Sequence, residues 1–292
     1  MINSHKQESL QRGNTFFPVQ YSLCNTSDPL YNLPIHWHLE IEIIHVLEGK
    51  YNAFINTSEI TISTDEICII TGGTFHGDGS KLDHCVYESI VFNLEILKLK
   101  DYSPNNFIDE IIQKKITPQN IYTNKDSNVI STCKNLFATM KEKNEGYDLQ
   151  TIGFIFQLLG IIKNEKKYTE INTKEINKRK FHSEYLKPVF EYINENYTKQ
   201  ISLEEMADKA NLSPKYFCRV FREVMHYTPF EYLNSFRINC ACEKLRKTNE
   251  KIINVAYSCG FNDFSYFIKT FKRYKNMTPF KYRNYNSEED DK

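Results

Sequence analysis

The chain has 292 residues, 40% of them hydrophobic and 25% charged, which excludes a disordered protein and suggests two domains. Its 37 Lys and Arg balance 37 Asp and Glu overall, yet residues 173–285 carry 21 basic against 12 acidic side chains, so a polyanion partner is expected for the back half. None of the eight cysteines forms a Cys-x-x-Cys pair, no apolar leader opens the chain, and the longest apolar stretch, 152–162, is too short for a bilayer. A structural zinc site, secretion and a membrane span are therefore not expected, and a cytoplasmic protein with reduced thiols is.

Residues from about 15 to 100 read as short strands. Ile41–Leu47, Tyr51–Ile55, Glu59–Ile62, Glu66–Ile70 and Tyr87–Phe92 are rich in β-branched and aromatic residues, and Glu48-Gly49 and Thr71-Gly72-Gly73 read as turns between them. Such spacing favours an antiparallel barrel or sandwich. Within it stands His36-Trp37-His38-x3-Glu42-x6-Gly49, followed by Gly73-x-x-His76. Positions of equal parity share one face of a strand, so His36, His38 and Glu42 can point together, with His76 joining from another strand. One reading makes His36, Trp37, His38, Glu42 and His76 the lining of a ligand pocket, the indole suiting a sugar-like molecule. The other makes the three imidazoles and the carboxylate ligands of Fe, Mn, Ni or Zn. This pattern resembles the cupin barrel, although Asp65 and Thr71 stand where that family has Gly and Pro. A cupin-type metalloenzyme using His36, His38, Glu42 and His76 is the alternative reading; the preferred one has no metal, no cofactor and no catalytic residue. For His45 and His84 a surface role remains open.

Phe107–Lys115, Asn128–Lys143 and Leu149–Lys163 read as helices. Ile130, Cys133, Leu136, Phe137 and Met140 make one stripe, while 152–162 is apolar on several sides and serves either a core or a dimer interface. The charged segment 167–180 reads as a linker. The expected organisation is an effector-sensing barrel at 1–100, a helical dimerisation or connector region at 101–166, the linker at 167–180 and an all-α domain at 181–286. The fold class is α+β.

The all-α part repeats itself at an offset of 50 residues. Tyr216-Phe217 returns as Tyr266-Phe267, Phe221-Arg222 as Phe271-Lys272, and Thr228-Pro229-Phe230-Glu231-Tyr232 as Thr278-Pro279-Phe280-Lys281-Tyr282. Upstream the offset is 49, pairing Ala207 with Ala256. Each unit reads as helix, tight turn, helix. Ser202-Leu203-Glu204-Glu205 is a capping box, Asn211-Leu212 and Gly260 make the turns, Ser213-Pro214 opens one second helix and Asp263 caps the other. Leu233–Leu245 reads as a longer helix joining the units. The faces away from Phe217 and Phe267 carry Lys215, Cys218, Arg219 and Arg222 in one unit, and Ser265, Lys269, Lys272 and Arg273 in the other. Arg reads guanine through two parallel bonds and Lys suits phosphate, so these are helix-turn-helix units with DNA-facing helices.

Across 181–285 the chain resembles the AraC/XylS family of bacterial regulators. The resemblance rests on Arg237-Ile238-x-x-Ala241-x3-Leu245, Val255-Ala256-x3-Gly260-Phe261, Tyr266-Phe267-x3-Phe271-Lys272 and Thr278-Pro279-x-x-Tyr282-Arg283. Where that family has Gly before each Thr-Pro, this sequence has His226 and Asn276. The resemblance implies base contacts from Lys215, Cys218 and Arg219, and from Ser265, Tyr266 and Lys269. It implies a sequence-specific transcription regulator governed by a small-molecule effector in its cupin-like barrel. The expected partners are double-stranded DNA, the effector, a second copy of the chain and RNA polymerase, with no membrane.

Overall fold

A computed structural model describes residues 12–14, 17–28, 31, 33, 35–56, 58–79, 83–98, 105–171, 173–225 and 227–289. They fall into two compact units, parted between Lys180 and Phe181.

The first unit is built on an antiparallel sheet. Strands β1 (Val19–Asn25), β2 (Ile41–Ile55), β3 (Ser58–Ser63), β4 (Ile67–Ile70), β5 (His76–Asp78) and β6 (Cys85–Phe92) are followed by helix α1 (Asn105–Ile112) and short strands β7 (Ile116–Pro118) and β8 (Ile121–Tyr122). Helices α2 (Ser127–Glu142) and α3 (Tyr147–Asn164) and strand β9 (Tyr168–Glu170) complete the unit. The main sheet runs β1-β6-β2-β4-β8, and the far half of β2 pairs with β3 and β5. One 15-residue strand thus belongs to both walls of the barrel.

That strand corrects an expectation. Glu48-Gly49 is not a hairpin turn between two strands. The pairing with β6 slips between Val46 and Glu48 and then resumes, which is a β-bulge. Gly49 has φ +79°, and a Cβ there would sit 2.1 Å from the carbonyl oxygen of His84. The bulge resets the parity. Ile44 and Val46 before it, and Tyr51, Ala53 and Ile55 after it, share the barrel interior with Cys68, Ile70, Cys85 and Tyr87. Ile41, Ile43, Ile67, Ile69, Ile90 and Phe92 face the other way. There they pack with Ile108 and Ile111 of α1, Leu136 and Phe137 of α2, and Leu158 and Ile162 of α3. The segments expected as barrel and connector therefore share one core.

Residues 167–180, expected as a linker from their charge, hold β9 and the start of helix α4 (Thr173–Asn196). Three residues of β9 pair with Ile116–Pro118 of β7, a partnership that local composition does not signal.

The second unit continues with α5 (Leu203–Lys209), α6 (Pro214–Met225), α7 (Pro229–Lys247), α8 (Ile252–Ser258), α9 (Phe264–Lys275) and α10 (Pro279–Glu289). The repeat is visible in the packing. Ala207, Phe217 and Phe221 are fully buried, as are Ala256, Phe267 and Phe271. Two of the expected caps are made: Ser202 and Glu205 bond reciprocally, and Asp263 accepts from the Tyr266 amide at 2.6 Å. Thr228 and Glu231 form a further capping box at the start of α7. The turns sit at equivalent places, Asn211 with φ 52° and Gly260 with φ 87°, and Asn276 is also left-handed at φ 53°. Asn takes that conformation at modest cost. His226, the counterpart of Asn276, lies outside the described residues.

Gly260 has a second constraint. A Cβ there would lie 2.2 Å from the Tyr197 carbonyl oxygen and 2.8 Å from Arg237 Nε. Gly260→Ala is expected to destabilise the protein by about 2 kcal/mol or more, combining left-handed strain with a backbone clash. Urea unfolding measures this; an unchanged midpoint would show that the turn yields.

Candidate functional site

Helix α6 turns Phe217, Val220, Phe221 and Val224 inward and leaves Lys215, Arg219 and Arg222 exposed, with Cys218 half-buried. Helix α9 buries Phe267 and Phe271 and leaves Ser265, Tyr266, Lys269, Lys272 and Arg273 exposed. The helical period alone enforces this division, since the core takes every third or fourth residue. Tyr216, absent from the sequence-based set, is exposed as well, and the Arg219 guanidinium lies over its ring at 4.7 Å. Such stacking limits the rotamers of an arginine that is free to reach a base. Tyr266 is half-exposed, and its hydroxyl accepts from Asn234 Nδ2 of α7 at 2.9 Å.

Helix α7 joins the two helix-turn-helix repeats within the second unit. Arg237 is buried on it and donates from Nε to the Tyr197 carbonyl at 2.8 Å and from a terminal nitrogen to the Lys199 carbonyl at 2.7 Å. Its guanidinium also lies 5.9 Å from the Phe261 ring centroid. Tyr274 of α9 donates its hydroxyl to the Glu231 carbonyl at 2.9 Å. The Thr228 amide holds the Glu231 carboxyl below its ordinary range, and Arg273 and Arg222 act in the same direction against the opposing effect of burial. The basic ends of α6 and α9 therefore act on the start of one helix.

In the barrel, the structure brings His36, His38, Glu42 and His76 together, with one ligating atom from each lying within 4.8 Å of all the others. His38 Nε2 is 3.4 Å and His76 Nε2 is 3.1 Å from Glu42 Oε2. His38 Nδ1 faces the Glu40 carbonyl at 3.1 Å, and His76 Nδ1 faces the Thr74 carbonyl at 2.8 Å. Backbone pairing of His36 with His76 sets this register. Burial pushes the Glu42 carboxyl up, but its bonds to His38 and His76 outweigh that and hold it well below the usual carboxylate range. Trp37 is buried, and the four-residue set closes without it.

A second polar cluster lines the interior. The Asp78 carboxylate accepts from the Tyr31 hydroxyl at 2.7 Å, the Tyr51 hydroxyl at 3.1 Å and the Leu33 amide at 3.1 Å. The Tyr31 and Tyr87 hydroxyls are 3.0 Å apart, and the Tyr51 and Tyr87 rings stack at 4.6 Å. Burial first, and then neighbouring anionic groups including Asp78 and Glu42, hold Tyr51 and Tyr87 well above the usual phenol range.

Residues 206–285 match a family described as a helix-turn-helix domain. Similarity to whole regulators extends over both units. The chain is 26% identical over 269 residues to the uncharacterized HTH-type transcriptional regulator YdeC of Bacillus subtilis (strain 168), covering 87% of each chain. It is 27% identical over 259 residues to the HTH-type transcriptional activator RhaS of Mannheimia succiniciproducens, covering 84% of this chain and 87% of that one. It is 23% identical over 256 residues to the melibiose operon regulatory protein of Escherichia coli (strain K12), covering 85% and 82%. The chain is thus similar, over most of its length, to transcription regulators of the AraC/XylS kind. It is a DNA-binding transcription regulator, and the matched helix-turn-helix domain lies in the second unit.

Seen as an AraC-type regulator, the molecule separates its histidines by role. His84 is exposed, bonding to Ser27 Oγ at 2.7 Å and approaching Glu48 at 3.2 Å. His45 is buried on the helix side of the sheet, against Glu88 at 2.8 Å and 5.6 Å from the Phe137 ring, which closes the surface option left open for it. The interior groups that sequence reasoning missed are Tyr31, Tyr51, Asp78 and Tyr87. Tyr51 and Tyr87 were accessible through strand parity once the bulge was placed; Tyr31 and Asp78 depend on tertiary contact alone. No helix among the described residues is long and apolar enough to cross a membrane.

Proposed function

We propose that this regulator reads promoter DNA in the cytoplasm through the exposed faces of α6 and α9, under the control of a small polar, sugar-like effector held inside the barrel. The observation that carries the DNA half is the pair of exposed basic faces at equivalent positions of α6 and α9, two helices joined by one longer helix. Arg219 reads a base from its stacked position on Tyr216. Lys215 and Cys218 flank it on α6, and Ser265, Tyr266 and Lys269 form the corresponding set on α9. Arg222, Lys272 and Arg273 hold phosphates. Two such helices serve successive major grooves when their centres are roughly 34 Å apart. RNA polymerase is the partner through which binding changes transcription.

The effector half rests on the interior chemistry. Imidazoles, carboxylates and phenols converge on a barrel otherwise lined by Ile, Val and Ala. That is the mixture of apolar wall and few polar groups that small ligands need. The relative named for a melibiose operon supports a sugar as the class. The effector acts by binding one arrangement of the protein more tightly than another. This reading needs no catalytic group, and similarity to regulators over most of the chain favours it over a metalloenzyme.

The second copy docks on α3. Leu149 is 77% exposed, Gly153 and Gly160 are exposed with open space where a Cβ would stand, and Phe156 lies between them half-buried. Positions 149, 153, 156 and 160 repeat at the spacing of a two-helix seam.

Three outcomes are expected. In anisotropy titrations on DNA selected from a random pool, Arg219→Ala costs about 1–3 kcal/mol and relaxes preference at one base pair, while Lys272→Ala weakens all sequences alike and lowers the salt slope by about one. If neither variant changes binding, the assigned face is wrong. Across a panel of mono- and disaccharides, one raises the melting temperature, gaining about 2.7 kcal/mol at a hundredfold excess over Kd, and Tyr87→Phe reduces the gain; a flat panel removes the sugar. Sedimentation shows a dimer that Leu149→Glu converts to monomer, and a wild-type monomer at all concentrations refutes the α3 seam.

A further inference from the structure

We infer that Asn234, a residue of the joining helix α7, sets the base preference of the second DNA-facing helix by holding the Tyr266 hydroxyl as an outward hydrogen-bond donor. This rests on the reading of α9 as a helix that enters the major groove, and it adds a determinant that lies on neither DNA-facing helix.

Tyr266 stands in the first turn of α9 and is 51% exposed, next to Ser265 and one turn before Lys269, which are exposed as well. First-turn residues of a recognition helix are those that meet base edges. Three contacts fix Tyr266 in advance. Its amide donates to the Asp263 carboxylate at 2.6 Å, its ring lies 6.2 Å from the Phe261 ring, and its hydroxyl accepts from Asn234 Nδ2 at 2.9 Å. Toward the other end of α9, the Tyr274 hydroxyl donates to the Glu231 carbonyl at 2.9 Å. Both ends of α9 are thus tied to the first turns of α7, and a roll of α9 about its axis breaks one tie or the other.

The direction of the Asn234 bond decides what Tyr266 offers. A phenol carries one hydrogen and can accept as well as donate. With the amide nitrogen donating to its oxygen, that hydrogen is left for a partner on the exposed side. In the major groove, guanine O6 and N7, adenine N7 and thymine O4 accept such a hydrogen, whereas the cytosine amino group only donates. A clamped donor therefore disfavours cytosine at one position. The clamp also removes side-chain freedom before binding, so less is lost in the complex.

The first repeat uses its equivalent residue differently. Tyr216, fifty positions earlier, lies under the Arg219 guanidinium at 4.7 Å. One tyrosine steadies a cation that reads, and the other is itself steadied to read. The two half-sites are expected to differ accordingly, with guanine opposite Arg219 in one and an acceptor-bearing base opposite Tyr266 in the other.

The test uses the full-length protein and DNA selected from a random pool, with each base pair of the α9 half-site then varied in anisotropy titrations. Tyr266→Phe removes the hydroxyl and Asn234→Ala removes its clamp. Each is expected to weaken the best site by about three- to tenfold and to flatten preference at the same base pair. The double variant loses no more than Tyr266→Phe alone, since both act through one contact. Asn234→Asp gives the sharpest reading. Its carboxylate takes the Tyr266 hydrogen, so the phenol presents an acceptor to the DNA, and preference at that base pair is expected to move toward a base with an amino group. The added negative charge weakens all sequences alike and leaves relative preference as the readout. Wild-type preference in a folded Asn234→Asp or Asn234→Ala overturns the role of Asn234. So does uniform weakening with a lowered urea midpoint, which is a structural effect only, or equal loss on every sequence in Tyr266→Phe, the mark of a phosphate contact. Tyr266→Phe and Asn234→Ala decide the matter if Asn234→Asp does not fold. Lys269→Ala is measured alongside. If it weakens binding while Tyr266→Phe does not, the DNA-facing reading of α9 stands and only the role of Asn234 falls; if neither does, both fall.

Discussion

The DNA-binding unit depends on a close approach between Arg237 and the turn at Gly260. The guanidinium donates to two carbonyls, those of Tyr197 and Lys199, which close the segment after α4. Charge-assisted bonds of this kind contribute about 1.5–3 kcal/mol each, and removing the arginine would leave both carbonyls without these donors. The turn between α8 and α9 lies against the same side chain, so closely that a single methyl group at 260 would meet both the arginine and the Tyr197 carbonyl. One side chain on the joining helix thereby sets the exit from α4, the turn of the second repeat and, through Phe261, the ring contact at the base of α9. The spacing of two basic faces is a property of this junction more than of either face.

In the sensing unit the equivalent constraint is a single strand with two faces. Along β2, Glu42 and Ile44 look into the barrel while Ile43 and His45 look toward the helices. His45 bonds Glu88, which accepts also from Tyr21 of β1 at 3.0 Å. Nearby, Asp65 pairs with Lys134 of α2 at 2.5 Å. Glu42 and His45 are three residues apart on a rigid pleat, so any change that moves the inner set must strain or shift the outer one. Close-packed interiors pass on such shifts because they have few voids to absorb them.

The helical half was legible because its signals are local. Caps, the 3.6-residue period and the repeat are all contained within short windows, and Ser202, Asp263, Phe217 and Phe267 are placed by those windows alone. The sheet was legible only in part. Glu48-Gly49 has the composition of a turn, and only the pairing of Glu48 and Gly49 with Val86 and Cys85 makes it a bulge. Strands β7 and β9 are three residues each, too short for any period, and they find one another across some fifty residues. The four-residue set in the barrel was legible from parity and spacing. Its outer contacts were not, since the carbonyls of Glu40 and Thr74 carry no side-chain signature. Arg237 stood in the quoted motif, but its partners Tyr197 and Lys199 lie about forty residues upstream.

The two clusters inside the barrel differ in a way that assigns them different work. Around Asp78 two phenols and an amide donate hydrogen bonds to a carboxylate that only accepts. Such a network stiffens the wall. Around Glu42 the partners are imidazoles instead: His38 and His76 approach its carboxylate at 3.4 and 3.1 Å, and each ring is steered from behind by a backbone carbonyl. Three imidazoles lie together there, with ring centroids 4.3 to 5.5 Å apart. The wall at Asp78 is therefore phenolic and the wall at Glu42 imidazole-rich, so a small ligand in the barrel meets two chemically distinct sets of polar partners.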